Sequence, residues 1–150
     1  MSENTPATLE PRDVVVGGSA LGVAQEIAVG KHRLVADEPT ALGGTDTGPN
    51  PYDLLLAALG SCTSMTIAMY ARRKEWPLQS VRVTLRHARI HAEDCEDCES
   101  KTGRLDRIER EVELFGPLDD EQRSRLLEIA NKCPVHRTLQ SEISIRTRLV

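Results

Sequence analysis

At 150 residues, with 39% hydrophobic and 28% charged side chains, the chain has the size and balance of one soluble domain built around a single core. A net charge of −4 excludes a general nucleic-acid binder, whose phosphate contacts need a basic excess. Aromatic residues make up only 3%, so the core must be aliphatic.

The opening stretch "MSENTPATLEPRD" has neither a positively charged leader nor an apolar run of the kind a secretory signal requires. It reads as a disordered lead-in over residues 1–12, before a single domain at 13–150. The cytoplasm is the expected compartment, and there four cysteines point to catalysis or metal binding rather than to a disulfide framework.

Three short strands are predicted first, at 14–17, 21–29 and 31–37, separated by Gly17-Gly18-Ser19 and by Gly30. Together they suggest an antiparallel meander. Residues 38–51, "EPTALGGTDTGPNP", are too rich in proline and glycine for a regular element and form a loop long enough to carry function. Asn50 followed by Pro51 is a helix start, an N-cap acceptor with proline at the first helical position, and Asp53 suits the first turn. The helix can run to Arg72-Arg73-Lys74, about 35 Å at 1.5 Å per residue.

Beyond Trp76-Pro77, residues 79–91 alternate as a strand, with Val81, Val83 and Leu85 on one face. Residues 104–115 fit either a helix or a strand, and Gly116-Pro117 tips the reading to strand. Within them, the arginines of 104–110 interleaved with Asp106 and Glu109 read as a mixed, solvated face. A second helix is predicted at 119–131, with Asp119 as its N-cap. "CPVHRTL" begins a short third helix, and Ile143, Ile145 and Thr147 mark a final strand. Strands grouped around helical segments give an α+β class.

The first helix is apolar or small on every side from 54 to 71. Such a helix is buried all round or lies in a membrane. Ser61, Cys62, Thr63, Ser64 and Thr66 interrupt its middle, which argues against a span. A small domain has few elements with which to wrap it, so a second copy of the chain is the simplest cover, and a homodimer with its long helices central is expected.

Two cysteines stand in structured positions. Cys62, mid-helix, is either a small buried hydrophobe or a functional thiol, and the helix dipole cannot activate it so far from the N-terminus. Cys133 falls at the N-cap of the third helix, with Pro134 after it and His136 and Arg137 close by. A thiolate there would meet free backbone N–H groups, though a plain capping cysteine fits this segment equally well.

The two segments taken together, "GPNPYDLLLAALGSC" and "CPVHRTL", resemble the OsmC/Ohr family of osmotically inducible and organic-hydroperoxide-resistance proteins, in a divergent OsmC-like branch. The likeness extends over the chain from about Val14 in element order as well as motif. It implies an intertwined α+β homodimer in which two long central helices are sheathed by antiparallel sheets. It further implies a thiol-dependent peroxidase for small organic hydroperoxides, with Cys62 in the place of the peroxidatic cysteine and Cys133 in that of the resolving one. An external dithiol would reduce the resulting Cys62–Cys133 disulfide, and no metal or organic cofactor is needed. Peroxidases of the family carry a glutamate ten residues before the first cysteine, helped by an arginine from the N-terminal half. That slot is Tyr52 here, Asp53 is one position off, and Arg33 and Arg12 are the candidate arginines. A non-catalytic protein of the same fold, binding a small molecule or sensing redox state, is the alternative function.

A second cysteine pair, Cys95 and Cys98 in "CEDC", stands apart from these motifs. With His87 and His91 it spells H-x3-H-x3-C-x2-C, which suits a metal, an accessory redox pair or a solvated acidic loop. Strand geometry weighs against the metal, because residues four apart on a strand lie roughly 13 Å from each other.

Overall fold

The computed structural model of the protein describes residues 12–150. All but the last position of the expected N-terminal lead-in therefore lies outside the described residues. The chain divides into two compact units, one ending at Asp53 and the other comprising Leu54–Val150.

In the first unit, β1 (Val14–Gly17), β2 (Gln25–Val29) and β3 (His32–Ala36) form the expected antiparallel meander in the order β1-β2-β3. The register pairs Val14 with Val29 and Val29 with His32. The β2–β3 turn is two residues long, and Gly30 takes the left-handed conformation, φ +56°, that such a turn demands. The second strand starts later than predicted, at Gln25 rather than Leu21. Ser19 is the cause: its hydroxyl accepts the Leu21 N–H at 3.1 Å, a local turn that competes with strand pairing.

The Gly/Pro-rich loop is tied to one carboxylate. Asp37 accepts from the hydroxyls of Thr47 (2.6 Å) and Thr45 (2.8 Å) and from the backbone N–H groups of Thr47, Thr45 and Glu38. These donors, the Thr47 hydroxyl foremost, hold the Asp37 carboxyl well below the ordinary carboxylate range in spite of its burial. At the loop's end the Asn50 side chain accepts the Asp53 N–H at 2.8 Å, and the Asp53 carboxylate accepts the Asn50 N–H at 3.0 Å. The predicted cap is thus a reciprocal capping box, and Asp53 is half of it.

It starts α1 (Pro51–Arg73), which belongs to the second unit from Leu54 on. That unit also contains the hairpin of β4 (Ser80–His91) and β5 (Arg104–Phe115), paired from Ser80↔Phe115 to His91↔Arg104. It ends with α2 (Asp120–Ala130) and α3 (Pro134–Leu139). Asp119 caps α2 in a capping box with Gln122. The core gathers Ile67 and Ala71 of α1, Leu118, and Leu126 and Ala130 of α2, with Val81, Val112 and Leu114 of the hairpin against them.

Helix α1 is long and apolar enough to cross a membrane by length and composition, but in this fold it is a core helix, with Ile67 fully buried. Its buried stripe is Leu59, Gly60, Thr63, Ile67 and Ala71, one face at helical spacing. A Cβ on Gly60 would come within 2.7 Å of Leu85 Cδ1, so glycine there allows the hairpin to approach the helix closely. The other face remains open, with Met65 64% and Met69 66% exposed.

The predicted final strand is corrected. Residues 142–150 form no strand, and Ile145 is 85% exposed. Its alternation is genuine, but a strand exists only where a neighbour supplies hydrogen bonds, and this segment has no ladder partner among the described residues of the chain.

Candidate functional site: a paired-cysteine centre

The site is built where α1, β5 and the start of α3 converge. Cys62 and Thr63 come from the middle of α1. The helix tolerates its hydroxyl-rich middle because these groups bond to their own preceding turn: Ser61 to Ala58 O, Thr63 to Leu59 O at 2.7 Å, and Thr66 to Cys62 O at 2.7 Å. Cys133 is the N-cap of α3, as its position before Pro134 suggests, and its sulfur accepts the His136 N–H at 3.4 Å. Cys62, next to Thr63 on α1, is among the groups that act on the Cys133 thiol, and the Thr63 hydroxyl stands 3.7 Å from its sulfur. Cys133 is fully buried and Cys62 half-buried, and neither is in a disulfide.

Four influences act on the Cys133 thiol besides burial. Burial is the largest and pushes its pKa up. The His136 N–H, the Thr63 hydroxyl at 3.7 Å, the Cys62 thiol and the Arg110 charge oppose it, and their sum brings the thiol below its ordinary value of 9.0.

Arg110 organises the surroundings. Its guanidinium donates to Thr63 Oγ1 at 2.9 Å, to Asn131 Oδ1 at 2.9 Å and to His136 Nδ1 at 3.1 Å. Arginine can only donate, so His136 must present Nδ1 as an acceptor and be neutral. The electrostatics agree: burial first, then the neighbouring Arg110 charge, lower the His136 pKa. Thr63 has one proton for two acceptors, the Leu59 carbonyl and the Cys133 sulfur. Its hydroxyl can therefore turn to a Cys133 thiolate while it continues to accept from Arg110.

A cavity of about 280 Å³ opens beside this network, with Leu59, Ile108 and Leu139 on its apolar side and Arg110, Asn131 and His136 on its polar side. Its size is near the lower limit for a small-ligand site.

Sequence reasoning singled out Cys62 and Cys133 and did not single out Arg110, which the fold brings to Thr63 and His136. The solvated-face reading of 104–110 is corrected at Arg110. Its neighbours do pair across the hairpin, as in Arg89 with Asp106 and, one residue on, Arg86 with Glu111. Arg110 instead turns inward, and the signal was in the alternation: Ile108, Arg110, Val112 and Leu114 occupy one column of β5 while Glu109, Glu111 and Glu113 occupy the other. A charge in an apolar column is the mark of a built site. Arg33, favoured from the sequence, donates to the carbonyls of Gly30 (2.8 Å) and His32 (2.9 Å) within its own hairpin. Tyr52 stands in the first turn of α1 and is 54% exposed.

The CEDC segment is a disulfide, Cys95–Cys98, with Cα atoms 5.5 Å apart. Its metal reading with the two histidines is not what the fold brings together. Cys95, Asp97 and Cys98 are the donor cluster found among the described residues, and His87 Nε2 bonds to Asp106 at 2.8 Å on the hairpin.

Fold and site together define an α+β protein in which a buried cysteine at the cap of a short helix faces a long core helix. A family model for OsmC-like proteins matches residues 44–148, a span that takes in both sulfurs and the arginine. The chain belongs to the OsmC-like family. Solved structures of similar fold include an OsmC-like protein from Mycoplasma pneumoniae, with 17% identity, 89% of each chain covered and a TM-score of 0.68. An organic hydroperoxide resistance protein OsmC from Legionella pneumophila shares 19% identity over 89% of this chain and 91% of its own, with a TM-score of 0.65. An organic hydroperoxide resistance protein from Elizabethkingia anophelis, solved with thiocyanate bound, matches with the same identity, coverage and TM-score. None of the curated proteins matches the chain.

Proposed function

We propose that the protein is a thiol-dependent peroxidase that reduces small organic hydroperoxides through a Cys62 sulfenic acid and a Cys62–Cys133 disulfide. The observation that carries the reading is the gathering of Thr63, which follows Cys62 on α1, with Arg110 and His136 around a buried Cys133 sulfur whose acidity they raise. A fully buried Cys133 is closed to a peroxide, while half-buried Cys62 can be reached. A Cys133 thiolate takes the Cys62 proton as the peroxide arrives, which leaves Cys62 as the nucleophile and Cys133 as the acid for the next step. Its thiolate attacks the terminal peroxide oxygen, the O–O bond breaks, and the leaving alkoxide takes the proton from Cys133 to depart as the alcohol. Cys133, again a thiolate, attacks the Cys62 sulfenic sulfur, and hydroxide leaves to become water. An external dithiol then reduces the disulfide, so the net reaction converts a hydroperoxide and a dithiol into an alcohol, water and a disulfide. Arg110, from β5 rather than the N-terminal half, supplies positive charge near Cys133, and the apolar wall of Leu59, Ile108 and Leu139 suits an organic substituent.

The working unit is a homodimer in the cytoplasm. The open face of α1 and the unpaired alternating tail at 142–150 support the assembly, since each presents apolar surface suited to a second copy. A second reading, a redox sensor or binding protein without efficient turnover, draws on Tyr52 in the slot where related peroxidases carry glutamate. Consumption of cumene hydroperoxide with dithiothreitol, in wild type and Cys62→Ser, separates them. The peroxidase reading expects turnover in wild type alone. Equal low rates in both would support the sensor.

A further inference from the structure

The tip of the β4–β5 hairpin carries a second sulfur pair that the peroxide chemistry leaves unused. A 3-10 turn at Ala92–Asp94 anchors it, with the Ala92 N–H on Gly103 O at 2.8 Å, the Cys95 N–H on Ala92 O at 3.1 Å, and Ala92 fully buried. The disulfide closes a ring of only four residues, Cys-Glu-Asp-Cys. So short a ring removes little entropy from the unfolded chain, which makes stabilisation a poor reason for the bond. Its two sulfurs also differ: Cys95 is 3% exposed, whereas Cys98 is only half-buried. Finally, an Asp97 carboxylate oxygen stands 3.2 Å from Cys95 Sγ. A disulfide sulfur has no proton to give it, but a Cys95 thiol would, so the loop already holds an acceptor for the reduced state.

We propose that Cys95–Cys98 is a second redox centre, a thiol–disulfide exchange site whose attacked sulfur is Cys98 and whose partner is a dithiol protein with positive charge around its reactive cysteine. The partner's thiolate attacks Cys98 Sγ and forms a mixed disulfide. The Cys95–Cys98 bond breaks, its electron pair goes to Cys95 Sγ, and Cys95 takes a proton from solvent and donates it in a hydrogen bond to Asp97. The partner's second thiolate attacks the partner's own bridging sulfur and releases Cys98, which is protonated in turn. Two electrons and two protons pass to the pair, and the partner leaves as its disulfide. The sign of the partner's charge follows from Glu93, Asp94, Glu96, Asp97 and Glu99, which flank and separate the two cysteines in sequence, while His91, Lys101 and Arg104 line a cavity at the foot of the loop. An anionic thiol is repelled from this tip and a cationic one is drawn to it.

The test uses the full chain carrying Cys62→Ser/Cys133→Ser, so that this pair is the only source of thiols. Peptide mapping of the wild type follows the same interconversion without relying on the fold of the variant. Alkylation and mass spectrometry follow the pair in cysteamine/cystamine and in glutathione buffers. The expected result is reversible interconversion, with added salt slowing reduction by cationic cysteamine and speeding reduction by anionic glutathione. With Cys95→Ser added, Cys98 should capture cystamine at least about tenfold faster than Cys95 does when Cys98→Ser is added instead. A pair that stays oxidised in excess thiol under native conditions would show a purely structural bridge. One equivalent of zinc bound to a reduced pair that then resists oxidation would show a metal site formed with Asp97. Either result, or capture at equal rates, overturns the proposal. None of them touches the peroxidase reading, which rests on the other two sulfurs.

Discussion

Replacing Arg110 with methionine keeps an apolar stem in the Ile108–Val112 column of β5 and removes three hydrogen bonds at once. At about 1 kcal/mol net for each bond the upper bound on lost stability is about 3 kcal/mol. Thr63 retains the Leu59 carbonyl, and water can reach the exposed side of the Asn131 contact, so the expected loss is about 1–2 kcal/mol. The chemical effect is separate. Without the guanidinium, the Thr63 hydroxyl is no longer oriented and Cys133 loses its nearby positive charge, so burial drives the thiol upward with less opposition. A network interaction of about 1.5 kcal/mol corresponds to roughly tenfold in rate near neutral pH. The assay is iodoacetamide alkylation of the Cys62–Cys133 pair against pH, alongside hydroperoxide turnover. In Arg110→Met the acid limb of both profiles should move to higher pH, and Arg110→Lys, which keeps the charge and loses the planar fork, should fall between. Profiles that superimpose on wild type, in a variant whose melting temperature has fallen as expected, would refute the electrostatic role given to Arg110.

Asp37→Asn should loosen the 38–50 loop, because an amide cannot accept from all five of its donors; faster amide exchange at Thr45 and Thr47 is the readout. For wild type the sign is that of a carboxyl depressed on folding: its stabilisation is complete above about pH 3.8 and is lost as pH falls from there, so this variant should flatten the acid limb of a stability–pH curve. Gly60→Ala gains about 1 kcal/mol of helix propensity but sets a methyl 2.7 Å from Leu85 Cδ1, at an overpacking cost of about 1–3 kcal/mol, so a small net loss in denaturant midpoint is expected. Met65→Glu, on the open face of α1, should leave the fold of one chain nearly unchanged yet weaken self-association. A well-folded monomer of the wild-type protein in sedimentation at micromolar concentration would exclude the dimer.

Local chemistry made much of this protein legible in its sequence. Asn50-Pro51 and Asp119 start helices because a side-chain acceptor and a missing N–H act within a few residues, and Gly116-Pro117 ends β5 for equally local reasons. Cys133 at an N-cap is legible in the same way, since its bond to the His136 N–H spans one turn. Contacts between distant segments were decided by the tertiary structure alone. Ile143 and Ile145 alternate as a strand would, but pairing needs a neighbour that no local pattern can supply. Arg110 carries its signal in the column it shares with Ile108 and Val112, yet its partners lie on α1, at the end of α2 and on α3, and only the fold brings them to one guanidinium. For Cys62 the sequence alone could not separate core filling from chemistry. A thiol's reactivity depends on which donors and charges stand beside it, and for Cys133 these include Thr63 and Arg110, which lie far from it in the chain and are brought near only by the fold.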